Sequence, residues 1–312
     1  MLAAFAVTIA LAASAQAQEV LTYDGACDAS AGIALDAERF AVANDENNRI
    51  GYFRLGEAKG AGALDLDAFL RIRAGREADV EGAAPMGKRT YWITSHGRSS
   101  SGKRQPSRQR FFATETSDGA SLATIGVPYT RLLDDLTSTP DLARYRLGEA
   151  ARRPAEAPGG LNIEGLAATP GGGVLVGFRN PLHQGRALIV PLENPAQMIE
   201  GERARLGAPI ELDLGGRGIR SMELVGSSYV IVAGPTADEG TFALYRWSGK
   251  PEDAATPVRA DLRDLRPEGL FAIPGTSSVQ LLSDDGGIEI EGVECKSLPM
   301  ARQAFRAMTL TP

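Results

Sequence analysis

Aromatic residues make up only 6% of the 312-residue chain, and histidine and cysteine occur twice each. Long apolar runs are missing beyond residue 17: no later stretch approaches the ~20 residues needed to span a membrane. Several familiar chemistries lack their signatures. There is no Gly-x-Ser-x-Gly elbow, His-Glu-x-x-His pair, Gly-x-x-x-x-Gly-Lys-Ser/Thr loop or Cys-x-x-Cys pair, which argues against serine-hydrolase, zincin, nucleotide-loop and thiol-redox chemistry. A net charge of -6 gives no general attraction to nucleic acid. Neither a nucleotide nor a redox cofactor is expected.

What is present is glycine, 36 residues of it, with Val, Leu and Ile spread through short runs punctuated by Gly and Pro. That distribution suits many short strands better than long helices. The chain opens with an apolar run, Leu2 to Ala13, closing on Ala15-Gln16-Ala17, the small-x-small form of a secretory cleavage site, though without the usual cationic start. Residues 1–17 are therefore expected to be a signal peptide, and the mature chain a periplasmic or secreted protein. In an oxidising compartment the even pair Cys27 and Cys295 is most simply a disulfide, the alternative being two buried thiols. Closing so long a loop constrains the unfolded chain by roughly 4 to 5 kcal/mol on the entropy model.

The chain is organised around a recurring stretch, Asn162-Ile163-Glu164-Gly165-Leu166-Ala167. Variants occur as Val80-Glu81-Gly82-Ala83, Ser221-Met222-Glu223-Leu224 and Pro267-Glu268-Gly269-Leu270, with a degenerate copy at Ser30-Ala31-Gly32-Ile33. Anchors at 31, 81, 164, 223 and 268 leave intervals near the length of a four-stranded propeller blade, except after Glu81. There a Pro/Ala/Arg/Gly-rich tract at about 137–161 reads as a surface insertion in a single domain spanning 18–312. The expected fold is all-β: one five-bladed β-propeller of four-stranded antiparallel blades. Six blades, or a β-sandwich with an extra domain, are the alternatives. Ala304 to Leu310 and Glu19 to Tyr23 are expected to close the ring, with Gly287 to Gly292 as another strand of the last blade.

If the anchor acids open the innermost strands, they share a face with the ends of the next strands: Asn44-Asp45-Glu46, Ser95-His96-Gly97, Phe178-Arg179-Asn180 and Ser283-Asp284-Asp285. The fourth unit offers only Gly234-Pro235, eleven residues after Glu223. Crowded carboxylates require compensation. A hard cation such as Ca²⁺ would supply it, with Glu164, Glu223, Glu268 and Asp284 as candidate ligands. So would Arg179, Arg220 or Arg98, leaving a polar pocket without metal; a plain turn at each Glu-Gly is the third possibility. Glu81, Arg179, Asn180, Asp45 and Arg98 are candidate contacts to a small polar or anionic ligand. His96 is the candidate general base, its ordinary pKa lying near neutrality, whereas His183 reads as loop. The acid-free run from Gly97 to Arg110 suits an anionic group such as phosphate, or is a solvated loop.

Taken together, Ala43-Asn44-Asp45-Glu46-Asn47, Ser95-His96-Gly97-Arg98, Gly177-Phe178-Arg179-Asn180-Pro181, Gly218-Ile219-Arg220 and Pro267-Glu268-Gly269-Leu270 resemble an exported bacterial family, domain of unknown function 3616. The resemblance implies a propeller-like fold and no established activity. A more distant architectural similarity is to calcium-dependent lactonase and esterase propellers and to phytase-like propellers, whose acids line a channel. Ala31 departs from an all-acid ring, so a lopsided site with Asp28 or Asp45 reaching in is expected. Two functions follow: a Ca²⁺-assisted hydrolase of small phosphate esters, lactones or esters, or a non-catalytic propeller that binds a partner protein or envelope glycan.

Overall fold

Short apolar runs separated by Gly-containing turns pair with their neighbours in sequence, and five four-stranded antiparallel sheets result. A computed structural model describes residues 19–117, 121–237 and 239–312; the expected signal peptide lies outside them. In the first four blades the chain runs from the innermost strand outward. The first contains Ala29–Ala34, Arg39–Asn44, Arg49–Arg54 and Ala63–Asp65; the second Val80–Met86, Arg89–Thr94, Phe111–Ser117 and Ser121–Tyr129. The third contains Asn162–Ala168, Val174–Asn180, Ala187–Leu192 and Ile210–Leu212; the fourth Gly218–Val225, Ser228–Gly234, Ala243–Trp247 and Thr256–Val258. Successive innermost strands pack in a ring, which closes where Pro267–Ala272 of the fifth blade meets Ala29–Ala34.

The fifth blade takes its outermost strand from the other end of the chain: Val20–Asp24 pairs with Ala304–Leu310, which pairs with Val279–Ser283. Cys27 and Cys295 form a disulfide beside this seam, with Cα atoms 5.9 Å apart. The scarce aromatics are concentrated there too. Tyr23, Phe40, Phe53, Phe271 and Phe305 form a contiguous cluster with neighbouring centroids 5.2 to 5.9 Å apart, each pair worth about 0.5–1.5 kcal/mol beyond its buried area. Gly287 to Gly292 is not a strand of this blade. Its Glu289–Ile290 pairs instead with Val293–Glu294 in a separate hairpin that leads into Cys295.

The long interval after Glu81 holds no sixth blade among the described residues. Between Tyr129 and Asn162 the chain forms helix Leu132–Ser138, the 3-10 segment Pro140–Tyr145 and helix Leu147–Ala150. Leu132, Leu136, Leu142 and Leu147 are buried in one apolar cluster with Phe111 of the second blade and Ile163 and Val176 of the third. Its apolar side chains thus belong to the core between two blades, beyond what a purely surface insertion would contribute.

The repeat has a physical basis. Every innermost strand carries a β-bulge near its start, and the bulged residues are Ser30, Glu81, Glu164, Arg220 and Glu268. A bulge leaves one residue unpaired and re-aims its side chain. The glycine that follows three of them sits where the next blade's innermost strand crosses. A Cβ on Gly82 would lie 2.9 Å from the Cβ of Leu166, and one on Gly165 2.6 Å from the Cγ2 of Ile219. The structure therefore corrects two anchors: Ser30 replaces Ala31, and Arg220 replaces Glu223. Gly234 lies fourteen residues after Arg220, so the irregular spacing of the fourth unit disappears.

Candidate functional site

At the bulged end of the innermost strands a cleft of about 620 Å³ opens, lined by eleven carboxylate side chains and six cationic ones. Four of the five bulged residues, Glu81, Glu164, Arg220 and Glu268, face it. Ser30 instead donates its hydroxyl to the carbonyl of Val80. The residues two places earlier form a second tier: Asp28, Asp79, Asn162 and Arg266 also line the cleft, and Gly218 completes the set. Four of these five positions carry a polar residue, a signal legible in the sequence, and Asp79 is the functional candidate among them that the sequence analysis does not single out.

One half of the cleft is electrically compensated. The Nε of Arg220 lies 2.8 Å from Glu164 Oε2, its other nitrogens contact Glu268 and the carbonyl of Pro235, and all three side chains are buried. Arg179 donates to Glu164 Oε1 at 3.0 Å and to Glu156 at 3.1 Å, and is fixed by the carbonyls of Pro235 and Ala237. Glu164 is thereby held between two guanidinium groups, and Asn162 donates to it as well. Both its oxygens are committed to arginine, as is Oε1 of Glu268.

The other half is not compensated. Asp45 follows the second strand of the first blade, and Asp79 and Glu81 flank Val80 in the second; ligand-capable oxygens of the three lie within 4.8 Å of one another. Asp79 is satisfied, by Ser95 Oγ and by Arg108 at 3.1 Å. Asp45 Oδ1 and Glu81 Oε2 are buried with no hydrogen-bond partner. Burial, followed by the charge of the neighbouring acids, pushes Asp45 and Glu81 well above the ordinary carboxyl range. Asp79 is raised only to about 6, because Arg108 and Ser95 oppose its burial. Across the first blade, Asp28 is raised to about 8 by burial and then by Asp284. The two are joined by a backbone bridge, and Gly286 leaves the space that the Asp28 carboxyl occupies.

All-oxygen donors with this separation suit a hard cation. Two oxygens on opposite sides of a bound Ca²⁺ stand about 4.8 Å apart, and the orphaned atoms of Asp45 and Glu81 are the kind of buried group whose desolvation an ion offsets. The residues present fit Ca²⁺.

The remaining candidates are distributed as follows. Asp284 lines the cleft beside Asp28, and Arg98 lines it with its guanidinium fixed by the carbonyls of Ala151 and Gly102. Asn180 does not line it; its amide pins the carbonyls of Ala155 and Ala157, holding the helical tract over the rim. Glu223 is buried further along its strand, outside the cleft, its pKa raised to about 8 by burial alone. It does not share a rim with the other anchors, as the strand register requires. His96 is also outside the cleft. It lines a neighbouring pocket, gives its Nδ1 hydrogen to the carbonyl of Thr94, and is lowered to about 4 by burial. His183 sits in a loop against Glu211 and Tyr145.

Among solved structures the chain is similar to glutaminyl cyclase of Myxococcus xanthus, with a TM-score of 0.47 and 10% identity over 94% of this chain and 96% of that one. It is similar to the PQQ-bound aldose sugar dehydrogenase of Streptomyces coelicolor, at 0.45 and 13% over 94% and 99%, and to a gluconolactonase of Xanthomonas campestris, at 0.42 and 13% over 93% and 79%. At these values the similarities carry no functional argument. No curated protein sequence matches the chain. The family described as "Protein of unknown function (DUF3616)" matches residues 103–279, more than half of the sequence, and the chain belongs to that family.

Proposed function

We propose that the protein is an exported propeller whose channel-mouth cleft binds Ca²⁺ at Asp45, Asp79 and Glu81 and, beside it, a small ester, lactone or phosphate ester that it hydrolyses. The observation that carries this reading is the pair of buried, unpartnered oxygens on Asp45 and Glu81 in a cluster with Asp79. Export is supported by the Cys27–Cys295 disulfide, which persists in oxidising compartments. Among the described residues no helix is long and apolar enough to cross a membrane.

When bound, the cation polarises the scissile oxygen and lowers the pKa of a bound water. The chain supplies the rest. Arg98 and Arg266, which line the cleft outside the Glu164–Arg220–Glu268 cluster, orient an anionic group of the substrate by charge-assisted hydrogen bonds. Asp28, holding its proton near neutrality, donates it to the leaving oxygen as general acid. His96, outside the cleft, takes no part.

Hydrolysis measured over a panel of phosphate esters, lactones and carboxylic esters, with Ca²⁺ and with chelator, tests the reading. The expected outcome is turnover that chelator abolishes and that Glu81→Gln reduces at least ~100-fold, the scale of losing a metal's role. Absence of turnover on every substrate removes the hydrolase. If Ca²⁺ still binds, it leaves the second reading, a propeller that captures a partner or glycan, which the displacement of His96 from the cleft favours.

A further inference from the structure

Two segments that wall the acidic half of the cleft, residues 71–79 and 103–110, divide their side chains between two pockets. Glu77, Asp79 and Arg108 face the cleft. Arg71, Arg73, Arg76, Lys103, Arg104 and Arg110 line a separate cavity of about 450 Å³. Six cations and no carboxylate line it, in a chain with 39 acidic residues against 33 basic ones. Arginines elsewhere on the surface, such as Arg39, Arg54, Arg89 and Arg146, each pair with a nearby acid. Among the described residues, Arg71, Arg73, Arg76, Lys103 and Arg104 make no such pair.

The walls of this cavity are built rather than loose. Arg110, half-buried, ties them together, its Nε reaching the carbonyl of Leu70 at 3.1 Å and its terminal nitrogen those of Pro106 and Gln109 at 2.7 and 2.9 Å. The charge of Arg110 thus has only backbone dipoles against it. The buried amide of Asn48 fixes the carbonyl of Arg76 at 2.9 Å. Arg71 occupies the left-handed cap after helix Asp67–Leu70, at φ 54°, a position where glycine costs least. The sequence accepts that strain and keeps a cation there.

Five of the six cations are arginines, whose planar forks match oxyanions in bidentate geometry. No aromatic ring lines the cavity, so a nucleobase finds nothing to stack on. Ile72 and Pro106 offer small apolar contacts of the kind a sugar ring uses. We propose that this cavity is an anion site that takes a compact sugar or polyol carrying two or more phosphate groups, independently of any cation in the cleft.

Titration calorimetry of the full chain with a bisphosphorylated hexose, in chelator and at about 50 mM salt, tests this. Saturable one-to-one binding is expected, weakened at least ~30-fold by the combined Arg73→Glu, Arg76→Glu and Arg104→Glu changes, each loss reflecting charge-assisted bonds. Arg104→Glu alone should weaken binding ~5-fold or more, and Glu81→Gln should leave it unchanged. Binding of adenosine 3′,5′-bisphosphate, which matches the two phosphates and adds a base, at least ~10-fold weaker than that of the hexose supports the exclusion of bases. Absence of saturable binding, equal affinity in the triple variant with an unchanged melting midpoint, or equal affinity for adenosine 3′,5′-bisphosphate would overturn the proposal.

Discussion

The two halves of the cleft solve the same electrostatic problem in opposite ways. On the side of the third, fourth and fifth blades, Glu164 and Glu268 are buried against Arg220 and Arg179. On the side of the first and second blades, Glu81 is buried and Asp45 half-buried, and each carries a buried oxygen with neither a hydrogen bond nor an ion pair. Burying a charge is costly unless it is paired, so the first half is finished by the protein itself and the second is left for something that binds. Arginine at the fourth bulge, where three other blades have glutamate, makes the difference.

The largest expected effect comes from breaking the finished half. Arg220→Met strands the buried carboxylate of Glu268 and leaves Glu164 with Arg179 alone, and should cost about 3–5 kcal/mol in urea unfolding; a cost below ~1 kcal/mol would mean the pairing carries little. Opening the ring at its seam comes next. Replacing both Cys27 and Cys295 by serine should lower stability by about 2–5 kcal/mol without changing the number of blades. In the unfinished half the sign reverses. Glu81→Gln removes a buried carboxyl that has no partner, so without Ca²⁺ it should be neutral or stabilising by up to about 1 kcal/mol, and it should abolish any gain in melting midpoint on adding Ca²⁺.

The last effect is a pH slope. Asp79 at about 6 and Asp28 at about 8 titrate above their unfolded values near 4. Between those limits the folded state holds more protons than the unfolded one, so stability is full below about pH 4 and is lost as pH rises towards 8. Melting midpoints of the cation-free protein should fall over this window. Saturating Ca²⁺ should flatten the fall, since it favours the ionised carboxylates.

Much of this was legible in the residues. Strand-length runs at blade-length intervals showed five blades, and the cysteines at opposite ends pointed to the closure that Tyr23 and Phe305 complete. Glu81, Glu164 and Glu268 stand out in the sequence because each is followed by the glycine that marks the crossing strand, and all three face the cleft. Ala31 and Glu223 misled for one reason: the pattern was matched on identity, whereas the conserved physical feature is the bulge, which accepts serine or arginine as readily as glutamate. The segment from Pro140 to Ala150 reads as a surface insertion because its buried residues, Leu142, Tyr145 and Leu147, are few and pack against two blades at once, which leaves no strand-like alternation. His96 could not be placed from sequence. Its side chain turns out of the cleft because its backbone adopts φ 56°, a single-residue conformation that no local pattern announces.

The most direct measurement is a crystal grown in Ca²⁺ and inspected for a spherical density peak at the channel mouth. The peak should lie about 2.3–2.6 Å from carboxylate oxygens of Asp45, Asp79 and Glu81, with Glu164 and Glu268 still on Arg220. A peak coordinated instead by Glu164 and Glu268, or none near Glu81 at saturating Ca²⁺, would contradict the division of the cleft into a finished and an unfinished half.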